Sequence, residues 1–192
     1  MARKRTLSAA TFRRGINLWP PFLFAGIKVL AVDDAFRSAK VRLRLGRLNR
    51  NWVGTHFGGS IFAMTDPFWM LLVMQNLGPD YYVWDSAAEI DFVSPGRGDI
   101  TAEFVLTDER LAEIRELTAD GSKALVWFDT EVLAQDGSVV ARVRKQVYVR
   151  PKPERDRPEA TGRGGRDERG GRDERGGRDE RGQRPEPVAT AV

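Results

Sequence analysis

The stretch GTHFGGSIFAMTDPFW, residues 54–69, contains the only histidine of the chain and two adjacent glycines in front of an apolar run. Within that run, Asp66 is followed directly by Pro67. The large apolar side chains keep a helical spacing through the proline, which predicts one long, kinked helix that starts near Gly58 and Gly59. The alternative is that Asp66 is the N-cap of a shorter helix whose first residue is Pro67.

The start of such a helix can bind a negatively charged oxygen. Its first N–H groups have no partner within the helix and carry about half a positive charge. Because Gly58 and Gly59 lack side chains, a ligand can approach their amides closely. Asp66 comes seven residues after Gly59, about two turns, so both should lie on one helix face. A partly buried Asp66 could act as a general base. Unusual dihedral angles or close packing would explain the glycines without any chemistry, and a structural carboxylate would explain Asp66.

The residues before Arg150 predict one α+β domain. A short helix is expected at 7–18, where Trp19 and two prolines stop it, and a second helix-compatible segment follows at 22–32. The alternation of apolar and polar residues predicts a strand before the long helix and four strands after it, at 39–45, 82–93, 100–106, 123–134 and 138–149. The last two strands are joined by Asp136-Gly137, a strong hairpin signal, and a short helix at 108–117 is capped by Thr107 or Asp108.

The composition argues against several kinds of site. The chain has no cysteine and one histidine, which excludes disulfides and a cysteine nucleophile and argues against a metal centre. We therefore predict no metal and no cofactor. No apolar run reaches the roughly 18 to 20 residues that a membrane span needs. The basic start of the sequence lacks an apolar signal-peptide core, so a cytoplasmic location is expected.

The C-terminal part consists of charged repeats. GRDERG recurs with a period of six from Gly165, and no apolar residue lies within the repeats. Such a segment cannot bury enough surface to offset the entropy of ordering it, so disorder is predicted. From Pro153 onward, ten arginines balance ten acidic residues, so the net charge of +4 belongs to the preceding residues. These show no basic face interleaved with aromatic residues, and nucleic-acid binding is not expected.

The order of elements and several motifs resemble the hotdog fold. NRNWVGTHFGGSIFAMTD is similar to the N…HGG…D signature of the phenylacetate-pathway type of acyl-CoA thioesterases, and the strand pair around SPGRG and the hairpin DGSVVARVRKQVYV are similar to theirs. WPPFLFAGIKV and GTHFGGSIFAMTDPF more closely resemble an uncharacterised hotdog family named only as a domain of unknown function. The resemblance implies a long central helix on a curved antiparallel sheet. It suggests an N-terminal helical segment at 1–37, a hotdog domain at 38–150 and a disordered tail at 151–192.

The resemblance also implies hydrolysis of an acyl thioester, with coenzyme A as part of the substrate. Asp66 takes the position of the base or nucleophile, and the amides of Gly59 and Gly58 would hold the oxyanion. His56 departs from the family pattern because Phe57 separates it from the glycines. It would hydrogen-bond the substrate carbonyl or orient the loop, and Asn51 would position water or His56, or only make a turn.

Further expectations concern substrate binding and assembly. Phe57 and Ser60 beside the glycines, and Arg97 in SPGRG, are candidates to contact the substrate, the arginine through the phosphates of coenzyme A. Arg142, Arg144 and Lys145 could do the same, although the alternation VARVRKQVYV explains Arg142 and Arg144 equally well as the solvated side of the last strand. Related hotdog proteins pair edge strands, which implies a homodimer or a dimer of dimers. The alternative function is a non-catalytic module that binds acyl-CoA or a lipid-like ligand.

Overall fold

Six antiparallel strands form one sheet in the computed structural model, which describes residues 8–47 and 49–157. Their order across the sheet is β1-β2-β4-β5-β6-β3, so β1 and β3 are its edges. The strands are β1 (Ile27–Val32), β2 (Ser38–Leu43), β3 (Tyr81–Phe92), β4 (Ile100–Val105), β5 (Ala124–Ala134) and β6 (Val139–Pro151). The five strands that alternation predicted are all present, and the α+β architecture is confirmed.

Helices supply the second layer. They are α1 (Ala9–Leu18), α2 (Pro20–Ala25), α3 (Gly58–Thr65), α4 (Phe68–Leu77) and α5 (Asp108–Leu117), followed by a 3-10 turn at Glu154–Asp156. α3 and α4 bury their apolar side chains against the sheet: Phe68 stacks on Phe104 with ring centroids 4.9 Å apart, and Trp69 stacks on Phe128 at 4.6 Å. None of the helices in the described part of the chain is long and apolar enough to cross a membrane.

The two short helices predicted from caps and stops are confirmed. α1 ends at Leu18, with Trp19 as its C-cap before the prolines, and is capped at its start by Ser8, whose hydroxyl accepts a hydrogen bond from the Thr11 amide. α5 is capped by Thr107, whose hydroxyl accepts from the Arg110 amide at 3.2 Å. Both caps satisfy one of the free N–H groups that every helix start leaves.

The expectation of a helix over 22–32 is wrong for its second half. Gly26 has φ 77°, a left-handed conformation that ends α2, and the chain then enters β1. Ile27 and Val29 are buried while Lys28 between them is exposed, a period of two that suits a strand edge. The segment 1–37 is therefore not wholly helical, because it contributes an edge strand that pairs with β2.

The long helix is kinked rather than restarted at the proline. Asp66 and Pro67 both keep right-handed helical dihedral angles, with φ −57° and −87°. Pro67 takes the N-cap position of α4 without a side-chain hydrogen bond, so the carboxylate of Asp66 does not cap the helix that follows. The predicted long helix is therefore present as two helices, α3 and α4, joined through Asp66 and Pro67 in helical dihedral angles, and the carboxylate is left to bond elsewhere.

The C-terminal boundary needs a correction. Disorder was expected from residue 151, but Pro151 ends β6 and the hydroxyl of Tyr82 donates a hydrogen bond to Asp156 at 2.8 Å. The charged repeats that begin at Gly165 lie within residues 158–192, outside the described residues.

Candidate active site

The loop in front of α3 is organised by Asn51. Its amide nitrogen donates to the Thr55 hydroxyl at 2.9 Å and to the carbonyl of His56 at 3.2 Å. Its amide oxygen accepts from the backbone N–H groups of Val53 and Thr55 at 3.1 and 3.0 Å. Both the nitrogen and the oxygen of this side-chain amide are therefore used in hydrogen bonds within the loop. This agrees with the turn-making role of Asn51.

His56 is buried and presents a hydrogen-bond acceptor. Its Nε2 lies 2.7 Å from the carbonyl of Gly98, so Nε2 carries the proton and donates. Nδ1 is then the free acceptor, buried and without a partner among the described residues. Burial lowers the pKa of His56 below its usual value, against the opposing effects of the Gly98 carbonyl and the charge of Asp99. In this neutral tautomer Nδ1 can receive an N–H or O–H but cannot donate to a carbonyl.

Gly58 and Gly59 form the first turn of α3, and their amides are free. Neither amide has a hydrogen-bond partner within the described chain, and Phe57 at the N-cap offers no side-chain cap. Neither glycine has a positive φ, so unusual dihedral angles do not explain the pair. A Cβ at Gly58 would lie 2.9 Å from the Phe92 ring, and one at Gly59 would collide with the Phe57 ring. Close packing against the Phe92 ring therefore accounts for Gly58, whereas at Gly59 only the exposed Phe57 ring would have to move.

Two cavities open beside this turn and share Asn51. The smaller, of about 340 Å³, is lined by Thr55, His56, Gly58 and the segment 92–96. The larger and wider, of about 970 Å³, is lined by Arg47, Arg50, the apolar tip of the loop at 52–54, and Phe57. Among the predicted substrate contacts, Phe57 lines the larger cavity, whereas Ser60 and the exposed Arg97 line neither.

Asp66 belongs to a cluster of three charged groups. Its carboxylate pairs with the ammonium of Lys145, which is only 3% exposed on the inner face of β6. The same ammonium lies 3.3 Å from a carboxylate oxygen of Asp85 on β3 and 5.6 Å from the centroid of the Phe62 ring. Burial raises the pKa of Asp85, although the charge of Lys145 opposes the shift. Asp66 thus stands at the outer end of an ion-pair cluster that reaches into the core.

Sequence reasoning did not place Lys145 and Asp85 beside Asp66. It offered Lys145 as a contact for the phosphates of coenzyme A, which is wrong because Lys145 is buried on the inner face of β6. Arg142 and Arg144 lie on the outer face of the sheet, paired with Glu131 at 3.1 Å and Glu89 at 3.2 Å, as the solvated-face interpretation predicted. Lys145 instead shares the inner face with Val143, Val147 and Val149. Lys145 stands at an apolar position of the alternating pattern of β6, so the sequence alone could have predicted that it faces the core.

Asp85 was hidden by an irregularity in β3. The register against β6 shifts between Asp85 and Ala87, so one extra residue, Ser86, interrupts the alternation. Simple counting along this strand therefore could not tell which face Asp85 occupies.

A helix that runs across the inner face of a curved antiparallel sheet defines the hotdog fold, and solved structures share this architecture. A Pseudomonas aeruginosa protein of unknown function, described as a probable thioesterase, superimposes with a TM-score of 0.65 at 19% identity, over 72% of this chain and 93% of that one. A thioesterase from Haemophilus influenzae gives 0.55 at 12% identity, over 79% and 96%. A Chlorobaculum tepidum protein of unknown function gives 0.61 at 15%, over 76% and 98%.

The sequence itself identifies the family. Residues 8–149 match the family described as Domain of unknown function (DUF4442), and the chain belongs to it. No curated protein matches the chain in sequence. The family match includes α1, α2 and β1, which therefore form part of the family's own domain.

Proposed function

We propose that this protein is a thioester hydrolase of the acyl-CoA thioesterase type. The observation that carries the proposal is one helical unit that begins with two free amides, Gly58 and Gly59, and ends at an ion-paired carboxylate, Asp66. The two functions that hydrolysis requires, holding an oxyanion and activating water, are thereby offered by the two ends of this unit, about two turns or roughly 10 Å apart. The hotdog relatives described as thioesterases support the same chemistry.

In the proposed reaction, which takes place across the homodimer proposed below, Asp66 of one subunit accepts a proton from a water molecule whose oxygen attacks the thioester carbonyl. The partner subunit's Gly59 amide, with that of its Gly58, donates to the oxyanion that forms, and a donor of this kind lowers the barrier by about 3 to 4 kcal/mol. Collapse of the tetrahedral intermediate breaks the C–S bond. The proton passes from Asp66 to the leaving thiolate, and the products are a carboxylic acid and a free thiol.

The two cavities suggest where the acyl group and the carrier of the substrate bind. We assign the acyl group to the smaller cavity beside Gly58, whose walls combine Ile61 and Phe92 with His56. The carrier then lies in the wider cavity, where Arg47 and Arg50 suit the phosphates of coenzyme A and Trp52 offers an exposed ring. Coenzyme A enters as substrate, and the mechanism needs no cofactor.

A homodimer formed through β3 completes the proposal. The edge strand β1 is covered, because the Asn17 side chain bonds both the N–H and the carbonyl of Val29, but the free edge of β3 has no backbone partner among the described residues. An uncovered edge invites pairing with another strand. Phe92 and Val93 are about half exposed in the wall of the smaller cavity, and a second copy at this edge would cover them.

A second candidate is a module that binds acyl-CoA without hydrolysing it. The observation in its favour is that Asp66 forms an ion pair with Lys145. A carboxylate with a purely structural role would form the same ion pair.

A panel of short, long and aromatic acyl-CoA thioesters, followed by thiol release, separates the two candidates. The hydrolase should turn over at least one member of the panel. Binding of the same compounds without thiol release, measured by calorimetry, would establish the module instead. A panel that is neither bound nor hydrolysed would refute both.

A further inference from the structure

Lys145 is a buried cation on β6, the strand next to the open edge β3 of the sheet. Its strand β6 is flanked by β5 and β3, and its side chain is 4% exposed beneath the kink of the helix. Burying an ammonium is costly unless carboxylates or other acceptors replace water around it. Asp66 and Asp85 provide that replacement from opposite sides, one from the helix and one from the neighbouring strand.

The two carboxylates differ in what they leave free. Asp85 is three-quarters buried, and its second oxygen has no partner in the described part of the structure. Asp66 is 54% exposed; Lys145 binds its Oδ1, while its Oδ2 has no partner among the described residues. The ammonium thus fixes the outer carboxylate by one oxygen and leaves the other open toward the surface.

The backbone of β3 is shaped to allow this contact. The extra residue Ser86 sits in the bulge, and its hydroxyl donates to the carbonyl and side-chain oxygens of Gln146 at 3.2 and 2.9 Å. Because the bulge shifts the alternation, Asp85 and Ala88 both face inward. Ala88 is the residue paired directly opposite Lys145, and its small side chain leaves room for the longer one.

We propose that Lys145 is the positioning residue for Asp66 in the hydrolysis proposed above, and that Asp85 holds Lys145 in place. One oxygen of Asp66 is anchored by the ammonium, so the free oxygen keeps a fixed direction toward the attacking water. The inference rests on the proposed function and adds to it two residues that do not touch the substrate.

A purely structural role makes a different prediction. Replacing a buried ion pair by uncharged groups of similar volume is often neutral for stability or even favourable. If Lys145 and Asp85 only stabilise the fold, the double variant Lys145→Met/Asp85→Asn should fold and retain activity. If they position Asp66, the same folded variant should be slow, because a misplaced catalytic group reduces the rate by about 10²-fold.

The test compares Lys145→Met, Lys145→Arg and the double variant with wild type, and uses Lys123→Met at an exposed turn as the matched control. For each, kcat and KM are measured on the best acyl-CoA of the panel. Binding of a non-hydrolysable thioether analogue and the thermal unfolding midpoint are also measured. We expect kcat to fall about 10²-fold in Lys145→Met and in the double variant, with KM and analogue binding within about threefold of wild type. Lys145→Arg should recover part of kcat, and Lys123→Met should equal wild type.

The outcomes separate this inference from the proposed function. If Asp66→Asn abolishes hydrolysis while the folded double variant keeps a third or more of kcat, the positioning role is refuted and the hydrolase stands. Equal losses of kcat and analogue binding would also refute it, since they would indicate a collapsed site. If wild type hydrolyses no thioester, the hydrolase is refuted and the positioning role with it.

Discussion

At the scale of single residues, the site is decided by what each polar side chain is already bonded to. Asn51 uses its amide within the loop, and His56 donates to Gly98, so neither is free to polarise a carbonyl. Asp66 alone among the three keeps an unpartnered oxygen on an exposed side chain. Nδ1 of His56 remains a hydrogen-bond acceptor only while the imidazole ring is neutral, so the state of the loop depends on pH.

The titration of His56 follows from its burial. Since burial lowers the pKa of its ring, the folded protein binds a proton less readily than the unfolded chain, whose histidine titrates near 6.5. Stability is therefore fully present above pH 6.5 and declines as the pH falls toward the folded pKa. A single imidazole resonance, assigned without ambiguity because the chain has one histidine, should titrate below 6.5 in nuclear magnetic resonance spectra.

Stability measurements provide the control for this prediction. The loss of unfolding free energy between pH 7 and pH 5 should be smaller in His56→Gln than in wild type. A ring that titrates at or above 6.5, or an identical loss in both proteins, would contradict the burial argument.

At the scale of elements, the sequence predicted the helices and strands whose periods are uninterrupted. The alternation in β5 and β6 and the helical spacing through Pro67 were readable because one face of each element is buried. β1 was missed because six apolar and basic residues after a glycine fit a helix as well as an edge strand. Lys145 and Asp85 were missed because a bulge and a buried ion pair both break the local pattern, and only the pairing of distant strands brings them to Asp66.

The first turn of α3 offers a test at this scale. In Gly59→Ala, the new methyl group meets the Phe57 ring, which is exposed and can move, while alanine favours the helix by up to about 1 kcal/mol. Stability should therefore change by less than about 1 kcal/mol. Since the methyl group or the displaced ring obstructs the Gly59 amide, we expect kcat/KM to fall at least about tenfold.

The matched control is Gly15→Ala in α1, where a Cβ has nothing within 4 Å. This variant should gain roughly 0.5 to 1 kcal/mol and keep full activity. Full activity in Gly59→Ala, measured on the same substrate, would remove the amide from the proposed mechanism.

At the scale of the whole molecule, the two edges of the sheet differ in whether side chains cover their backbone groups. α1 bonds the backbone of β1 through Asn17 and Arg13, whereas the edge of β3 stays open beside the smaller cavity. Phe92 and Val93, which line that cavity, are 54% and 46% exposed. A second copy of the chain would cover both the open edge of β3 and the exposed apolar residues of the cavity. We therefore expect activity to depend on dimer formation.

Sedimentation measures the assembly directly. Wild type should sediment as at least twice the chain mass of 21.6 kDa. Phe92→Lys places a charge in the expected interface and should shift the protein toward monomer with reduced activity. Val105→Lys, at an exposed position on β4, should leave the mass unchanged. A monomeric wild type with full activity would contradict the dimer.

The central claim is that the carboxylate of Asp66 activates the attacking water. Its most direct test is the rate of thiol release from the best acyl-CoA by Asp66→Asn, with Asp129→Asn on the outer face of the sheet as the matched control. We predict that kcat falls by about 10² to 10⁴-fold in Asp66→Asn, while the folded variant still binds the thioether analogue and Asp129→Asn equals wild type. A rate for Asp66→Asn within threefold of wild type would contradict the account.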